Sequence, residues 1–392
     1  MTGMTSLHRT AKEGPGRGPS HGPTDIIVSD VQDFAALESK WRDLEARSNA
    51  SFFQSWTWTG CLAEQRFPDP VLVEARDQGR TIALALFNRV GRTLYLGESG
   101  DQVLDDIFIE FNGVLAESGR EAELTQACLR AVRDASGGRG FGLRRWRLVL
   151  SGVNPAILAA AQQIGAVRRT RDRPAHFVDF ATGHAGFLER RSANTRQQLR
   201  RSDRAFAAAA PITIERAANL AQAYEFLDGL AALHQASWVA RRQPGAFANP
   251  FFARFHHALI ARGLERGEID LLRVATGPQT IGFLYNFRYR GQSLAYQSGF
   301  DHGSAGRHQK PGLTCHHQAI QLAAQWGATR YDFLAGDDRY KRSLADRSAR
   351  LHWIEVGSPY APRFLLLRLK DYVACWRHAA VAVRKCVPGG FD

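Results

Sequence analysis

Short apolar and alternating runs, separated by glycine-containing turns, dominate the first half of the chain. Residues 71–75, 82–87 and 94–96 carry the period-two or continuous apolar pattern of half-buried and buried strands and predict a meander. Leu124, Cys128, Ala131 and Val132 then recur at helical spacing, and residues 146–150 alternate again as a strand. About two hundred residues later the same order returns. Residues 271–275, 281–289 and 294–298 read as strands, with Gly277-Pro278 and Arg290-Gly291 as their turns. Leu313, His317, Ile320 and Ala324 share one helical face, Gly327 stops that helix, and residues 331–334 form a short buried strand. The recurrence predicts a duplicated α/β (α+β) architecture, each half a mixed, mostly antiparallel sheet flanked by helices. The halves are expected at residues 25–182 and 183–358, after a disordered Gly/Pro/Ser-rich tail at 1–24 and before a basic C-terminal segment at 359–392.

Composition narrows the class. With 392 residues, 44% of them hydrophobic, the chain is long and apolar enough for two cores. Its 51 Lys and Arg against 38 Asp and Glu leave a formal charge of +13, which favours anionic partners: phosphate-bearing cofactors, nucleic acid or an anionic membrane surface. The five cysteines, at 61, 128, 315, 375 and 386, have no paired spacing, so neither a zinc site nor a disulfide framework is expected. The adjacent pairs His256-His257 and His316-His317 diverge on a helix and make poor clamps, so no metal is predicted. The N-terminal tail has no apolar signal-peptide core and no stretch is long enough to span a bilayer, which predicts a cytoplasmic protein, peripheral to the membrane at most.

Candidate chemistry concentrates in the second half. Lys310-Pro311-Gly312 opens a helix after a polar loop, and Leu313 follows. Free N–H groups and the positive helix end could receive a pyrophosphate there, or Pro-Gly could be plain punctuation. Residues 331–334 run into a dense ionisable set, in which Asp337 could orient or deprotonate an amine and Lys341 could neutralise a developing oxyanion; a solvated turn is the alternative. On the helix over 224–241, Leu227, Leu230, His234 and Trp238 share a face, making His234 either a base or a hydrogen-bonded core histidine. Arg196, Arg200 and Arg204 line one face of a basic segment, suited to an anionic acceptor or simply to water. Arg363, Lys370, Arg377 and Arg384 lie opposite Leu366, Leu369, Val373 and Trp376, a basic amphipathic helix for anionic lipid or for docking on the folded domain.

The ordered set Tyr296-Gln297-Ser298-Gly299-Phe300-Asp301, Pro311-Gly312, Gly327, then 331–337 with Tyr340-Lys341, resembles the CelD-like acetyltransferase branch of the GNAT superfamily, which is related to the Fem-type peptidoglycan aminoacyltransferases. Phe52-Phe53-Gln54-Ser55-Trp56 with Trp58, and the helix of His234 and Trp238, extend the likeness over most of residues 50–345. The resemblance implies tandem GNAT-like domains with acyl-CoA (acetyl-CoA or longer) as donor and no metal. The donor would lie where the strand ending at Ser298 splays from that ending at Leu334, held by Gln297, Ser298, Gly299, Lys310, Pro311, Gly312 and Leu313. A backbone N–H would hold the thioester carbonyl while a neutral amine attacks directly, with no covalent enzyme intermediate.

Within that reading, His234 or Asp337 accepts the proton, Tyr296 positions the thioester, Lys341 stabilises charge, and Arg196, Arg200, Trp238 and Asp332 meet the acceptor. That acceptor is expected to be a small-molecule or lipid-linked amine of an exopolysaccharide sugar or lipid base. Two departures from the family pattern stand out. The phosphate loop lacks the Gln/Arg-x-x-Gly-x-Gly/Ala signature, and Leu344 replaces a frequent aromatic. Aminoacyl transfer from a charged tRNA is the alternative, with a non-catalytic role in polysaccharide assembly as a third class. The expected coiled-coil arm and base-stacking basic stripe of a tRNA binder are missing from the sequence.

Overall fold

The structure is a computed structural model and describes residues 24–138, 146–181, 186–362 and 364–366. Its first half runs β1 (Asp25–Asp30), α1 (Phe34–Ala46), α2 (Trp56–Arg66), β2 (Pro70–Asp77), β3 (Arg80–Val90), β4 (Thr93–Leu96), β5 (Leu115–Ala116), α3 (Glu121–Arg133), β6 (Arg147–Val153), α4 (Pro155–Gln162) and β7 (Ala166–Asp179). After α5 (Ala193–Ala207), the second half runs β8 (Ile212–Arg216), α6 (Leu220–Ala240), α7 (Pro250–Gly263), β9 (Ile269–Thr276), β10 (Gln279–Tyr289), β11 (Gln292–Phe300), α8 (Pro311–Gln325), β12 (Arg330–Ala335), α9 (Arg339–Leu344) and β13 (Arg347–Gly357). Apart from α5 and the two-residue β5, the two halves share one element order. The strands and helices expected from residues 71–150 and 271–334 are all present.

Local chemistry sets the corners. Gln78-Gly79 and Arg290-Gly291 both have positive φ, as a tight two-residue hairpin requires. Gly327, at φ +81°, ends α8 in the left-handed conformation that a side chain would oppose.

Among the described residues the strands form one sheet, in the order β1-β2-β3-β4-β6-β13-β7-β12-β11-β10-β9-β8. The last strand of each half is exchanged: β13 lies against β6 of the first half, and β7 lies against β12 of the second. The sheet is therefore continuous through the sequence boundary at 182/183. A single apolar core draws on both halves, with α1, α2, α6 and α7 on one sheet face. Phe52 stacks on Phe287 at 4.1 Å between ring centroids, and both are fully buried. Separate cores under α3 and α4, and under α5 and α8, cover the other face.

Residues 1–23 of the expected tail at 1–24 and most of the basic C-terminal segment lie outside the described residues, including Arg363, Leu369, Lys370, Val373, Trp376, Arg377 and Arg384. Among the described residues no helix is long and apolar enough to cross a membrane, and Cys61, Cys128 and Cys315 are buried free thiols.

Candidate active site

Strands β11 and β12 run parallel but pair only over Gln292–Leu294 and Arg330–Asp332. Beyond that point they separate, so the backbone from Ala295 and from Phe333 onward loses its partner strand. Two distortions shape the opening. The register of β10 and β11 skips Tyr296, which makes it a bulge, and Leu334 holds φ +60° in β12. A cavity of about 940 Å³ fills the gap. Its walls come from β11 (295–300), β12 (333–335), α6 (His234, Trp238) with Arg241 just after it, the start of α8 (311–313) and Lys341 of α9.

At one end of the cavity, α8 begins without a side-chain cap: Lys310 holds the N-cap position and Pro311 the first turn. The first turn, with its N–H groups uncapped by any side chain, lines the cavity together with Lys310 and Arg307. Ser202 of α5 fixes the loop, accepting the Lys310 N–H at 2.8 Å and bonding to the Thr314 hydroxyl at 2.8 Å. Deeper in, His316 lines the cavity with Nε2 buried and unpartnered, while Nδ1 meets the Tyr331 hydroxyl at 3.1 Å. Burial, with Lys341 nearby, drives its imidazolium form down to a pKa of about 3, so the ring is neutral.

The opposite wall comes from the first half. The connection from β4 to β5 carries Asp106, Phe108 and Glu110 to the cavity. Glu110 is buried, and one carboxylate oxygen accepts the Ala335 N–H at 2.5 Å. Burial raises its pKa to about 7, against the lowering effect of that bond and of Lys341. Phe108 and Phe111, on either side of it, both adopt positive φ. Gly152 lets the connection pass over β6, since a Cβ there would stand 2.7 Å from the Glu110 Cα. In the first half itself the corresponding gap is plugged: Asn112 donates its N–H to Gly152 and its side-chain amide to Leu96 at 2.7 Å, bridging β6 and β4. The helix after that gap, α3, starts with acidic Glu121 and Glu123, which disfavours an anion.

Residues 193–342 match the family model described as "Acetyltransferase (GNAT) domain". That segment is similar to a GNAT acetyltransferase domain. The matched segment contains the splayed strands, the uncapped α8 and Lys341, and the match supports an acyltransferase. No curated protein matches the chain by sequence. Among solved structures the fold is similar to FemX (10% identity, 84% of this chain and 96% of that one, TM-score 0.55). It is also similar to the C-terminal domain of a putative lysylphosphatidylglycerol synthetase from Agrobacterium fabrum (12%, 87% and 96%, TM-score 0.52). L-PGS from Bacillus licheniformis is a third (11%, 85% and 96%, TM-score 0.53).

Gln297, Ser298, Gly299, Lys310, Pro311, Gly312 and Leu313, expected to hold the donor, all line the cavity, as do His234, Trp238, Tyr296 and Lys341. Two of these have commitments that change their roles. The Nδ1 of His234 donates to the Ser298 carbonyl at 3.1 Å and its Nε2 accepts the Ala246 N–H at 3.3 Å, so no ring nitrogen is free to take a proton. Tyr296 donates its hydroxyl to the Ile107 carbonyl and meets His256 Nε2 at 3.1 Å, tying the Glu110 connection to β11.

The remaining expected residues do not reach the cavity. Asp337 is exposed, and Arg342 at 2.7 Å with His176 at 3.2 Å holds its carboxyl below the usual range, which makes it a poor base. Asp332, within β12, is wholly buried; it accepts the Leu334 N–H at 2.8 Å and supports the bend. Arg196 spends its guanidinium on the Arg191 carbonyl at 2.6 Å, and Arg200 points to solvent. Lys341 is buried, with Nζ 2.7 Å from the Ala335 carbonyl. Glu110 and His316 are the functional candidates that sequence reasoning passed over. Glu110 did leave a trace, as a lone carboxylate inside the apolar run Ile107-Phe108-Ile109-Glu110-Phe111.

Proposed function

We propose that this protein is an acyl-CoA-dependent N-acyltransferase of the CelD-like branch, acting on an amine of an anionic cell-envelope precursor. The observation that carries the donor is the uncapped start of α8 opening into the cleft between β11 and β12. The N–H groups of Gly312 and Leu313, with Lys310 and Arg307, suit the pyrophosphate. The unpaired edges of β11 and β12 and the orphaned His316 Nε2 suit the amide-rich arm. When bound, acyl-CoA supplies an activated thioester; the protein positions it, shields it from water and offers backbone N–H groups to the carbonyl.

An anionic acceptor is supported by Arg171 and Arg173. They lie on one face of β7, two residues apart, and neither has an ion-pair partner among the described residues; Arg171 rests instead on the Trp353 ring at 5.3 Å. Pro174, next to Arg173, accepts the N–H of Gly336, so this face borders the end of β12 that lines the cavity. An envelope substrate is in keeping with the name of one fold neighbour, a putative lysylphosphatidylglycerol synthetase.

Calorimetry with acetyl-CoA and a long-chain acyl-CoA tests the donor. Micromolar binding, weakened several-fold by Lys310→Ala, is the expected result. Binding of charged tRNA with none of CoA would replace this reading with the aminoacyl-transfer one.

A further inference from the structure

Resting on the acyl-transfer reading, we infer that Glu110, delivered by the first half of the chain, is the proton acceptor for the amine in the second half's cleft. The first half gave up its own cleft to place it there: the chain that fills the gap between β4 and β6 through Asn112 is the same connection that presents Glu110. The connection is held at several points. Gly152 admits it, Phe108 and Phe111 turn it through positive φ, and Tyr296 clamps it through the Ile107 carbonyl.

These contacts fix the carboxylate without using it up. One oxygen accepts the Ala335 N–H at 2.5 Å, and among the described residues no other protein hydrogen bond reaches the carboxylate. Of the residues first expected in the role, His234 bonds through both nitrogens, Asp337 lies outside the cavity, and Asp332 is buried in β12 away from it; Asp106, Asp338 and His302 also line the cavity but are exposed, whereas Glu110 is buried at its wall. The charged and titratable groups facing Glu110 are Lys341 from α9, Asp332 from β12 and Tyr296 from β11. Lys341 favours the carboxylate and Asp332 opposes it. Burial dominates both and leaves the group titrating near neutrality, where a base both accepts and returns a proton readily.

The step balances without a further reactant. The neutral amine attacks the thioester carbonyl and the C–N bond forms. The nitrogen loses one proton to Glu110, the C–S bond breaks, and the departing thiolate takes that proton, restoring the carboxylate. The products are one amide and one thiol.

The test uses the full chain, acetyl-CoA, and methoxyamine as a surrogate acceptor that stays neutral over the pH range examined. Glu110→Gln keeps an oxygen for the Ala335 N–H but cannot take the proton. It is expected to bind acetyl-CoA within about twofold of wild type, to turn over about a hundredfold more slowly or worse, and to lose the fall in rate below pH 7. Independently of turnover, difference infrared spectroscopy of the protein with CoA should show a carboxyl component titrating near pH 7 that is lost in Glu110→Gln and retained in Glu98→Gln. Glu98→Gln serves as control, since burial also raises Glu98 to about 7 yet it does not line the cavity. An unchanged rate and pH profile in Glu110→Gln, a limb removed by Glu98→Gln instead, or no titrating band assigned to Glu110 overturns the inference. Failure of acetyl-CoA to bind the wild type would sink the donor reading, while the infrared titration still decides whether Glu110 ionises near neutrality.

Discussion

The Glu110 carboxylate accepts the backbone N–H of Ala335 across 225 positions of sequence, joining the connection after β4 to the splayed end of β12. One bond thus sets the distance between a buried acid from one half and the cleft of the other. Any change that lifts the connection off β6 should be felt at the cavity.

Gly152→Ala is the sharpest such change. Its φ of +64° strains any side chain, and the added Cβ would press on the Ile109 carbonyl and Glu110 Cα. We expect a loss of about 1–3 kcal/mol in stability together with a rate loss at least as large as that of Glu110→Gln, while acetyl-CoA affinity holds. Melting curves and donor titrations on the same preparation check this. A variant that loses stability but keeps its rate would show that the connection is not what positions Glu110.

Stability should fall as pH rises through neutrality. Burial raises Glu98 and Glu110 to about 7 and Asp332 to about 6, so the folded chain holds protons that the unfolded chain has released above the ordinary carboxylate range. The contribution is complete at pH 4 and lost between roughly pH 4.5 and 7, on the order of 3 kcal/mol for Glu110 alone. Glu110→Gln should therefore flatten the fall in melting temperature between pH 5 and 8 and raise stability at pH 8. An identical pH slope in wild type and variant would contradict the raised pKa.

Arg171→Gln with Arg173→Gln should leave CoA binding intact. With CoA saturating the α8 site, inorganic pyrophosphate is expected to bind the double variant at least tenfold more weakly than wild type, with the difference shrinking as salt rises. Equal binding would remove the support for an anionic acceptor at this face.

Phe52→Ala removes one partner of the stack with Phe287 in the core shared by both halves. A cost of about 3–5 kcal/mol is expected, expressed as one shifted calorimetric transition. Two transitions, with only one shifted, would show that the halves unfold separately.

Much of this arrangement was readable from the chain. Leu313, His317, Ile320 and Ala324 mark α8 because helical period is a local property, and Lys310-Pro311-Gly312 marks its start because proline and glycine act on their own backbone. The wall residues of β11, from Tyr296 to Gly299, came instead from the resemblance to the CelD-like family. The exchange of β7 and β13 could not be read, since it depends on which edges meet after the halves form and each strand's pattern fits either partner. The roles of His234, Tyr296 and Asp337 also escaped, because a ring or carboxylate is made available or occupied by neighbours distant in sequence: Ala246 and Ser298, Ile107, and His176 with Arg342.

The sequence by itself determined the repeated elements, the turns between them and the anion-ready start of α8, all governed by interactions among residues a few positions apart. Only the tertiary structure decided that the first half's cleft is plugged by its own connection and that Glu110 projects into the second half's cleft. A carboxylate's burial, partners and proton affinity come from groups brought together by folding, and Glu110 meets Ala335 and Lys341 only when the exchanged strands close the sheet.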